Sequence, residues 1–426
     1  TWIYSDLHME SSDKNLKLWW ILFFISLASL LIGSIGVFLI FNKGLGLLAI
    51  NNSIFWGVLI TNFVFWIGIG HAGTFISAIL LLLRQNWRKG INRFAEGMTI
   101  IAIVLAAIMP IIHLGKPSYF YKLLPISNNS GYFLLNFNSP LNWDFYAIST
   151  YLILSIIFFY IGMLPDLAQM RRINQKNKLL AFFAAGWTGS LTQWQNHKQT
   201  LYILAGLATV LVIAVHSIVS FDFAVSMHVG WHSSIFPIYF VLGALLSGFA
   251  MLCILAVINR KINRLDNFIR KEHFDYMSKI MLATSILIFF VYINEVFMSL
   301  YANNPFENAL LIQKSVGKTA FIYYLSLFLS IGIPQLFWKK SIRSNSKQVL
   351  ILSILILIGM WLERYMIIVS SSETGYISAN NSNFSLNFFS LAMILFGIGF
   401  FFTFFLLFIR YLPSISYSEI LKDKKK

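Results

Sequence analysis

One histidine and one aspartate are the residues of this chain best suited to acid–base chemistry. His113 ends a long apolar run, and Asp144 begins the next one. Ionisable side chains are costly at membrane depth, so they are usually retained there for a function. A neutral imidazole accepts a proton from one hydroxyl of a ligand, and a carboxylate accepts another or stabilises the imidazolium. The pair therefore predicts a proton-coupled redox site for a quinol-sized ring, and the alternative is that both residues merely cap helices or bind each other.

Further ionisable residues in the apolar runs predict a route for protons. Asp222 follows a helix end, so it is either part of that route or a helix cap. Adjacent helix residues do not face one another, so Glu363 and Arg364 should each find a partner on another helix, as proton carriers or as an ion pair that joins helices. His71 lies among small residues, which predict a helix-packing surface as readily as a proton path. The full set is His71, His216, Asp222, Glu295, Glu363 and Arg364.

The composition indicates an integral membrane protein. The chain is 58% hydrophobic and only 11% charged, whereas soluble domains carry about 25% charged residues. A spanning helix needs about 20 mostly apolar residues. We therefore predict an all-α, polytopic membrane protein with ten transmembrane helices, at about 18–41, 55–83, 98–114, 143–164, 200–220, 234–258, 277–300, 319–338, 349–370 and 387–410.

The loop charges predict the orientation of these helices. Basic clusters at 84–93, 171–198, 260–271 and 339–347 all fall on one side, whereas the other five loops hold six of the 32 Lys and Arg residues, with Lys318 and Arg364 included. By the positive-inside rule, both termini are cytoplasmic. This topology explains the net charge of +16, and nucleic-acid binding is not expected because no basic stretch is interleaved with exposed aromatic residues.

The sequence offers no ligand set for a metal centre. Cys253 is the one cysteine, and iron–sulfur clusters typically need four. There is no C-x-x-C-H motif for attached haem and no H-E-x-x-H motif for zinc. The spanning histidines stand singly on their helices, unlike the paired ligands of a membrane haem. We therefore expect no metal or haem in this chain and an electron acceptor on another polypeptide.

The helix pattern divides the chain into four segments. Residues 1–54 hold an N-terminal segment and helix 1, and 371–426 hold helix 10 and a basic cytoplasmic tail. Between them, 55–220 would form a first four-helix bundle from helices 2–5, and 221–370 a second from helices 6–9. The chain enters and leaves each bundle on the same side of the membrane, as in a parallel repeat.

Several longer stretches resemble a known family. They lie at 65–74, 87–88, 91–96, 113–117, 136–144, 165–168, 216–222, 230–232 and 359–364. In these stretches the chain resembles the NrfD/polysulfide-reductase family of quinone-interacting membrane subunits, over about 60–370. More narrowly, it is similar to the C-type membrane component of bacterial alternative complex III, a quinol-oxidising respiratory complex. Lys116 departs from the pattern, which has Arg there, and loop 371–386 matches poorly.

The resemblance implies a function and a set of partners. It implies quinol binding by His113 and Asp144 near the periplasmic face of a bacterial inner membrane, and proton movement through Asp222, Glu363 and Arg364. It also implies a periplasmic iron–sulfur subunit, c-type cytochrome subunits, a paralogous NrfD-like membrane subunit, lipids and a terminal oxidase as partners. The Ile, Lys and Asn richness suggests menaquinol as the substrate.

Two other interpretations stay open. The first is the paralogous F-type membrane component of the same complex, which is thought not to bind quinol; the run 361–364 favours the C-type component. The second is a non-redox secondary transporter. Transporters more often have broken helices at corresponding places in two repeats, whereas the polar groups here cluster towards one membrane surface. Iron–sulfur and c-type haem polypeptides in the purified complex would favour the redox interpretation.

Overall fold

The computed structural model describes residues 15–51, 54–123, 140–173, 175–373, 384 and 386–424. Within these ranges the regular secondary structure is helical, without strands. Ten of the helices are long and apolar enough to cross a membrane, which confirms the predicted all-α polytopic class. They are α1 Leu16–Lys43, α2 Val58–Leu82, α3 Asn92–His113, α4 Pro140–Ile173, α5 Leu191–Ala224, α6 Phe236–Asn263, α7 Lys271–Ala302, α8 Ala320–Trp338, α9 Ser346–Ser370 and α10 Phe388–Tyr411.

The spanning helices pack as two rings of four. In the first ring α2 contacts α3 and α5, and α4 closes the ring against both. In the second, α6 contacts α7 and α9, and α8 closes the ring in the same way. The first helices of the two rings, α2 and α6, pack on each other, while α1 and α10 pair beside them. This is the expected arrangement of two bundles with flanking helices; the segment boundaries themselves stay a prediction.

The helices alternate in direction, so the molecule has two distinct ends. We call the end with His113 and the start of α4 the site end. The opposite end, which includes residues 412–424, is the tail end. At the tail end the backbone N–H of Asn15, before α1, donates to the carbonyl of Ile262 near the end of α6 at 2.9 Å. At the site end the Asn387 amide, before α10, donates to the Leu47 carbonyl at 2.6 Å.

Small residues bring α2 close to its neighbours. A Cβ atom added to Gly248 of α6 would collide with Ala72 of α2, and one added to Gly73 would collide with the Ala95 carbonyl of α3. Both substitutions would therefore push helices apart. The prediction that the small residues around His71 form a packing surface is confirmed, and the same close approach holds His71 fully buried between helices.

Several helices extend beyond their apolar runs. α4 continues to Ile173 and α5 begins at Leu191, although hydropathy alone predicts 143–164 and 200–220. Hydropathy follows only the apolar part of a helix, whereas backbone hydrogen bonding continues through its polar end turns. A short helix, Lys178–Phe183, lies between them. The rings of Trp187 and Trp194 contact at 5.3 Å in this region, as expected of an interfacial segment.

Candidate functional site

The structure brings two carboxyl groups together at the site end. Asp144 in the first turns of α4 and Asp222 in the last turns of α5 lie near enough for their carboxyl groups to interact electrostatically. Both residues are buried, at 5% and 9% exposure. Neither oxygen of Asp144 receives a hydrogen bond from the described residues. Two carboxylates without a donor repel each other, so one proton shared between them would satisfy the pair.

His113 lies at the same end but does not bond to Asp144. It is the last residue of α3, and its buried Nδ1 atom has no hydrogen-bond partner among the described residues. The alternative that His113 and Asp144 bind each other is therefore not seen, because Asp144 has Asp222 as its neighbour; a ligand site shared by His113 and Asp144 stays a prediction. Residues 114–139 connect α3 to α4. Of these, 124–139 lie outside the described ranges, and they include 136–139 of the family-like stretch.

Two histidines meet at the centre of the molecule. Nδ1 of His71 on α2 lies 2.8 Å from Nδ1 of His216 on α5. One ring must donate and the other accept, while both Nε2 atoms are buried without a partner among the described residues. A cavity of about 10 Å³ adjoins the two rings, which is about the space of one water molecule. His71 and His216, which the sequence indicates only as single residues on separate helices, thus form a pair that can pass a proton.

A group of hydroxyls continues from this pair towards the tail end. Tyr151 on α4 donates to the carbonyl of His71 at 3.1 Å. Thr74 on α2 donates through its backbone to the hydroxyl of Thr99 at 2.7 Å and through its own hydroxyl to Ser155 at 3.4 Å. The next turn of α2 carries Ser77, which donates to Glu96 at 2.5 Å.

Towards the second bundle, the histidine pair approaches Arg364 on α9. The guanidinium lies 4.4 Å from the ring centre of Phe240 and 5.6 Å from that of Tyr239, both on α6. It also contacts its neighbour Glu363, Nη1 to Oε1, at 3.4 Å. The expectation that these adjacent residues do not meet is wrong, because the long arginine side chain reaches back to the carboxylate. The expectation of a partner on another helix is confirmed for Arg364 by its contacts with α6, whereas neither carboxylate oxygen of Glu363 has a hydrogen-bond partner among the described residues.

The polar residues continue from α6 to the surface at the site end. The hydroxyl of Tyr239 donates to that of Tyr292 on α7 at 2.9 Å. One turn further, Glu295 lies 3.6 Å from Nζ of Lys314 and is 37% exposed at its side chain. Of the predicted proton-route residues, His71, His216, Glu363 and Arg364 thus lie along one buried path, Glu295 lies at its surface end, and Asp222 belongs to the carboxyl pair.

A buried ion cluster terminates the path at the tail end. Arg93 at the start of α3 contacts Glu96 at 3.2 Å and Asp166 of α4 at 3.6 Å, and its guanidinium donates to the Gly162 carbonyl at 2.5 Å. Asp166 in turn accepts from the backbone and hydroxyl of Ser418 in the C-terminal segment. The cluster therefore joins α3 and α4 to the tail.

An aromatic cluster covers the site end beside Asp222. Trp231, in the segment between α5 and α6, stacks on Trp56 at 5.2 Å and meets Phe223 at 5.0 Å. Its indole N–H donates to the Ile367 carbonyl at 2.6 Å. His228 lies against the same indole at 4.7 Å, and burial lowers the pKa of its imidazole. This cluster fixes the loop that follows Asp222.

Sequence reasoning did not select the three tyrosines and the hydroxyl groups of this path. A signal was present for Tyr151 and Ser155, which follow Asp144 after seven and eleven positions and therefore share its helix face. No such signal marks Tyr239 and Tyr292, because each is an ordinary aromatic residue within an apolar run. In the described part of the chain, no three His, Cys, Asp or Glu side chains lie close enough to hold a metal ion.

The chain is similar in sequence to a known family of membrane proteins. The sequence model of the family described as polysulphide reductase, NrfD, matches residues 46–374, well over half of the chain. This chain belongs to the NrfD polysulphide reductase family. The matched range contains α2 to α9, and so both helix rings and every candidate site residue. Members of the NrfD family are membrane subunits of redox enzyme complexes.

Two curated relatives of this NrfD-family chain come from reductases. One, from Halobacterium salinarum, is provisionally named as the C membrane subunit of a dimethyl sulfoxide reductase; it is 23% identical over 48% of this chain and 43% of its own length. The other, the C subunit of selenate reductase from Mesobacillus selenatarsenatis, is 24% identical over 53% of each protein. The chain thus spans about half the length of the curated relatives it matches.

Proposed function

We propose that this chain is the quinol-oxidising membrane subunit of a bacterial respiratory complex, with alternative complex III as the specific candidate. The observation that carries the proposal is the Asp144–Asp222 pair, two buried carboxyls with no donor from the described residues to Asp144. His113 adds a buried ring nitrogen at the same end, likewise without a partner in the described part of the chain. These are groups that can accept protons, and the family match supports their use in a redox complex.

The proposed reaction divides protons and electrons between two polypeptides. Quinol, for which menaquinol is our candidate, loses two hydroxyl protons and two electrons and becomes quinone. Nδ1 of His113 accepts one proton, and the Asp144–Asp222 pair accepts the other. The electrons pass to an iron–sulfur cluster on a partner subunit, and from there to c-type haem or to a terminal enzyme. The role of this chain is to bind the ring and take its protons.

The buried path provides a candidate route for proton translocation. It begins at Glu96, passes the hydroxyls near Thr74 to the His71–His216 pair, and continues through Glu363, beside the fixed cation of Arg364, and the Tyr239–Tyr292 pair towards Glu295. Hydrogen-bonded groups within a low-dielectric interior can relay protons only where they lie in contact or through a single water. The small cavity beside the two histidines would supply such a water.

Arg364→Gln is expected to lower turnover and shift its pH dependence. The substitution removes the cation beside Glu363 and His216, so the protonation of the route changes. The pH profile of quinol oxidation by the purified complex measures this effect. Arg410→Gln is the matched control, because the guanidinium of Arg410 also lies over an aromatic ring, 4.3 Å from the ring centre of Trp19, but on α10. An unchanged profile in Arg364→Gln would exclude Arg364 from the route.

The partners of this chain decide which complex it serves. The curated relatives are named for dimethyl sulfoxide and selenate reductases, so a terminal reductase that receives the electrons is the second candidate. Affinity purification of the tagged chain from native membranes, followed by protein identification and quinol oxidation assays, tests both. Iron–sulfur and c-type haem subunits indicate alternative complex III, and a catalytic subunit that reduces a substrate such as dimethyl sulfoxide or selenate indicates the other. A complex without quinol oxidation activity contradicts the proposal.

Iron and haem analysis of the chain separated from its partners is expected to find neither at stoichiometric amounts. The physical reason is that the chain has too few metal ligands, since Cys253 is the one cysteine and an iron–sulfur cluster needs several thiolates. Optical spectroscopy and elemental analysis of the purified polypeptide measure this directly. A haem spectrum from this polypeptide alone would assign it an electron-carrying role of its own.

Reporter fusions are expected to give opposite signals at the two ends of the molecule. A reporter after Lys426 should be cytoplasmic, and one inserted within 120–135 should be periplasmic, because the basic loops gather at the tail end. Alkaline phosphatase and green fluorescent protein fusions provide complementary readouts. Reversal of both signals would move the proposed quinol site to the cytoplasmic face.

A further inference from the structure

A cavity of about 460 Å³ opens at the tail end, apart from the proposed proton route. Its wall is formed by the end of α2, the turn Asn86–Gly90 that follows, and the first turns of α5. This volume is within the usual range for small-molecule sites. No part of the proposed function uses it.

Positive charge dominates the lining of this cavity. Four cations line it: Arg84, Arg88, Lys89 and Lys198. Glu419 is the single acid among the described lining residues, and it is bound to Arg88 at 2.6 Å. The charges of Arg84 and Lys198 are therefore not balanced by a carboxylate of the described lining. Such a site selects an anion.

The geometry holds these two cations at the mouth. Arg84 has a φ of +54°, a left-handed conformation that turns the chain sharply as α2 ends. Its side chain is exposed. Lys198, near the start of α5, is exposed as well, with Nζ 5.9 Å from the ring centre of Tyr202. Both can therefore reach an anion that enters from the membrane surface.

An apolar, open strip on α5 follows the residues that line the cavity. Leu201 and Tyr202 are the lining residues furthest along α5. Gly206, one turn further, has no atom within 4 Å of the position of a Cβ, and Ile213 on the same helix face is 46% exposed. Helical spacing of four and eleven residues places Tyr202, Gly206 and Ile213 in one line. A ligand with both an anionic head and an apolar tail fits this combination.

Tryptophan residues beside the cavity indicate the headgroup level of a bilayer. Trp194 lines it and contacts Trp187 at 5.3 Å, and tryptophans concentrate at the membrane–water interface. Basic pockets between helices at this level bind the headgroups of anionic lipids. We propose that this cavity binds the phosphate group of an anionic phospholipid, with an acyl chain along the strip from Tyr202 to Ile213.

The proposal is tested by titrating lipids into the intact, delipidated complex and measuring the bound lipid by native mass spectrometry. Phosphatidylglycerol is expected to bind more tightly than phosphatidylcholine with the same acyl chains. The double variant R84Q/K198Q is expected to weaken phosphatidylglycerol about 30-fold, since each cation near the surface contributes about fivefold. The matched control K339Q/K340Q removes two exposed charges from the same end and should retain the wild-type affinity.

Two further measurements distinguish binding of a lipid from binding of a small anion. Inorganic phosphate at equal concentration should not displace phosphatidylglycerol. G206W adds a side chain where space is open and changes no charge, so it should weaken the lipid by obstructing its acyl chain. Competition by phosphate, or wild-type affinity in G206W, would mean that the cavity takes a small anion and would overturn the proposal. Equal losses in R84Q/K198Q and K339Q/K340Q would indicate diffuse attraction to the surface instead.

The wild-type complex alone gives a result that does not depend on how well any variant folds. If it shows no preference for phosphatidylglycerol over phosphatidylcholine, the cavity does not bind anionic lipid. The same conclusion follows if a partner subunit is found to fill the cavity in the intact complex. A preference that R84K/K198R preserves would support the proposal, because both substitutions keep the charge.

Discussion

Asp144→Asn is expected to lower quinol oxidation by about 100-fold or more, the range for loss of a general base. Asparagine keeps the shape of the side chain, and its amide can donate to the facing carboxyl of Asp222, so local packing should be retained. It cannot, however, accept the quinol proton. His113→Ala should cause a comparable loss, because Nδ1 of His113 is the second proposed acceptor. Steady-state oxidation of a soluble menaquinol analogue by the purified complex measures both, with assembly checked on native gels.

The controls for this prediction separate the roles of the two carboxyls. Asp222→Asn keeps Asp144 but removes its partner, so we expect slower turnover with nearly unchanged quinol affinity. Asp266→Asn changes an exposed acid at the tail end, bound to Arg260 at 2.5 Å, and should leave turnover unchanged. Near-normal turnover in both Asp144→Asn and His113→Ala would remove the two residues from the reaction. Loss of quinol binding in Asp222→Asn would place Asp222 in the binding site.

The fold was largely predictable because its elements depend on local composition. Length and apolarity identified all ten spanning helices, and the small residues of 68–74 indicated close packing of α2. The ends of α4 and α5 were not predictable from hydropathy, because their polar turns lie beyond the apolar run. The pairing of helices into rings depends on contacts between residues far apart in sequence, such as Ala72 with Gly248, for which one sequence carries no direct signal.

The sequence predicted which residues belong to the candidate site, but not which of them contact each other. Buried ionisable residues are rare in apolar helices, so His71, His216, Asp144 and Asp222 stood out individually. Which of them meet depends on the rotation of each helix about its axis. A helix turns by about 100° per residue, so a small error in packing changes the partner of every side chain. The Asp144–Asp222 pair and the His71–His216 pair therefore required the structure.

Arg93→Met is expected to destabilise the protein by about 3–5 kcal/mol, the range for breaking a buried ion pair from one side. Arg93, Glu96 and Asp166 have side chains at most 3% exposed. Methionine fills a similar volume without charge, so two buried carboxylates would remain without a cation. The effect is measured by thermal unfolding of the purified complex, with the loss of soluble assembled protein as the readout. The C-terminal segment should also loosen, because Asp166 binds Ser418.

Arg88→Met is the matched control for this second prediction. Arg88 binds Glu419 at 2.6 Å, but the side chain of Glu419 is 17% exposed, and pairs that reach solvent contribute about 1 kcal/mol or less. Equally mild losses in both variants would show that water reaches the Arg93 cluster. The neutral triple variant R93M/E96Q/D166N should recover most of the stability, since no unpaired charge is left in it. If stability returns while turnover does not, the proton route needs an ionisable group of this cluster, because packing and charge balance at the tail end have then been restored without it; E96Q alone then tests Glu96.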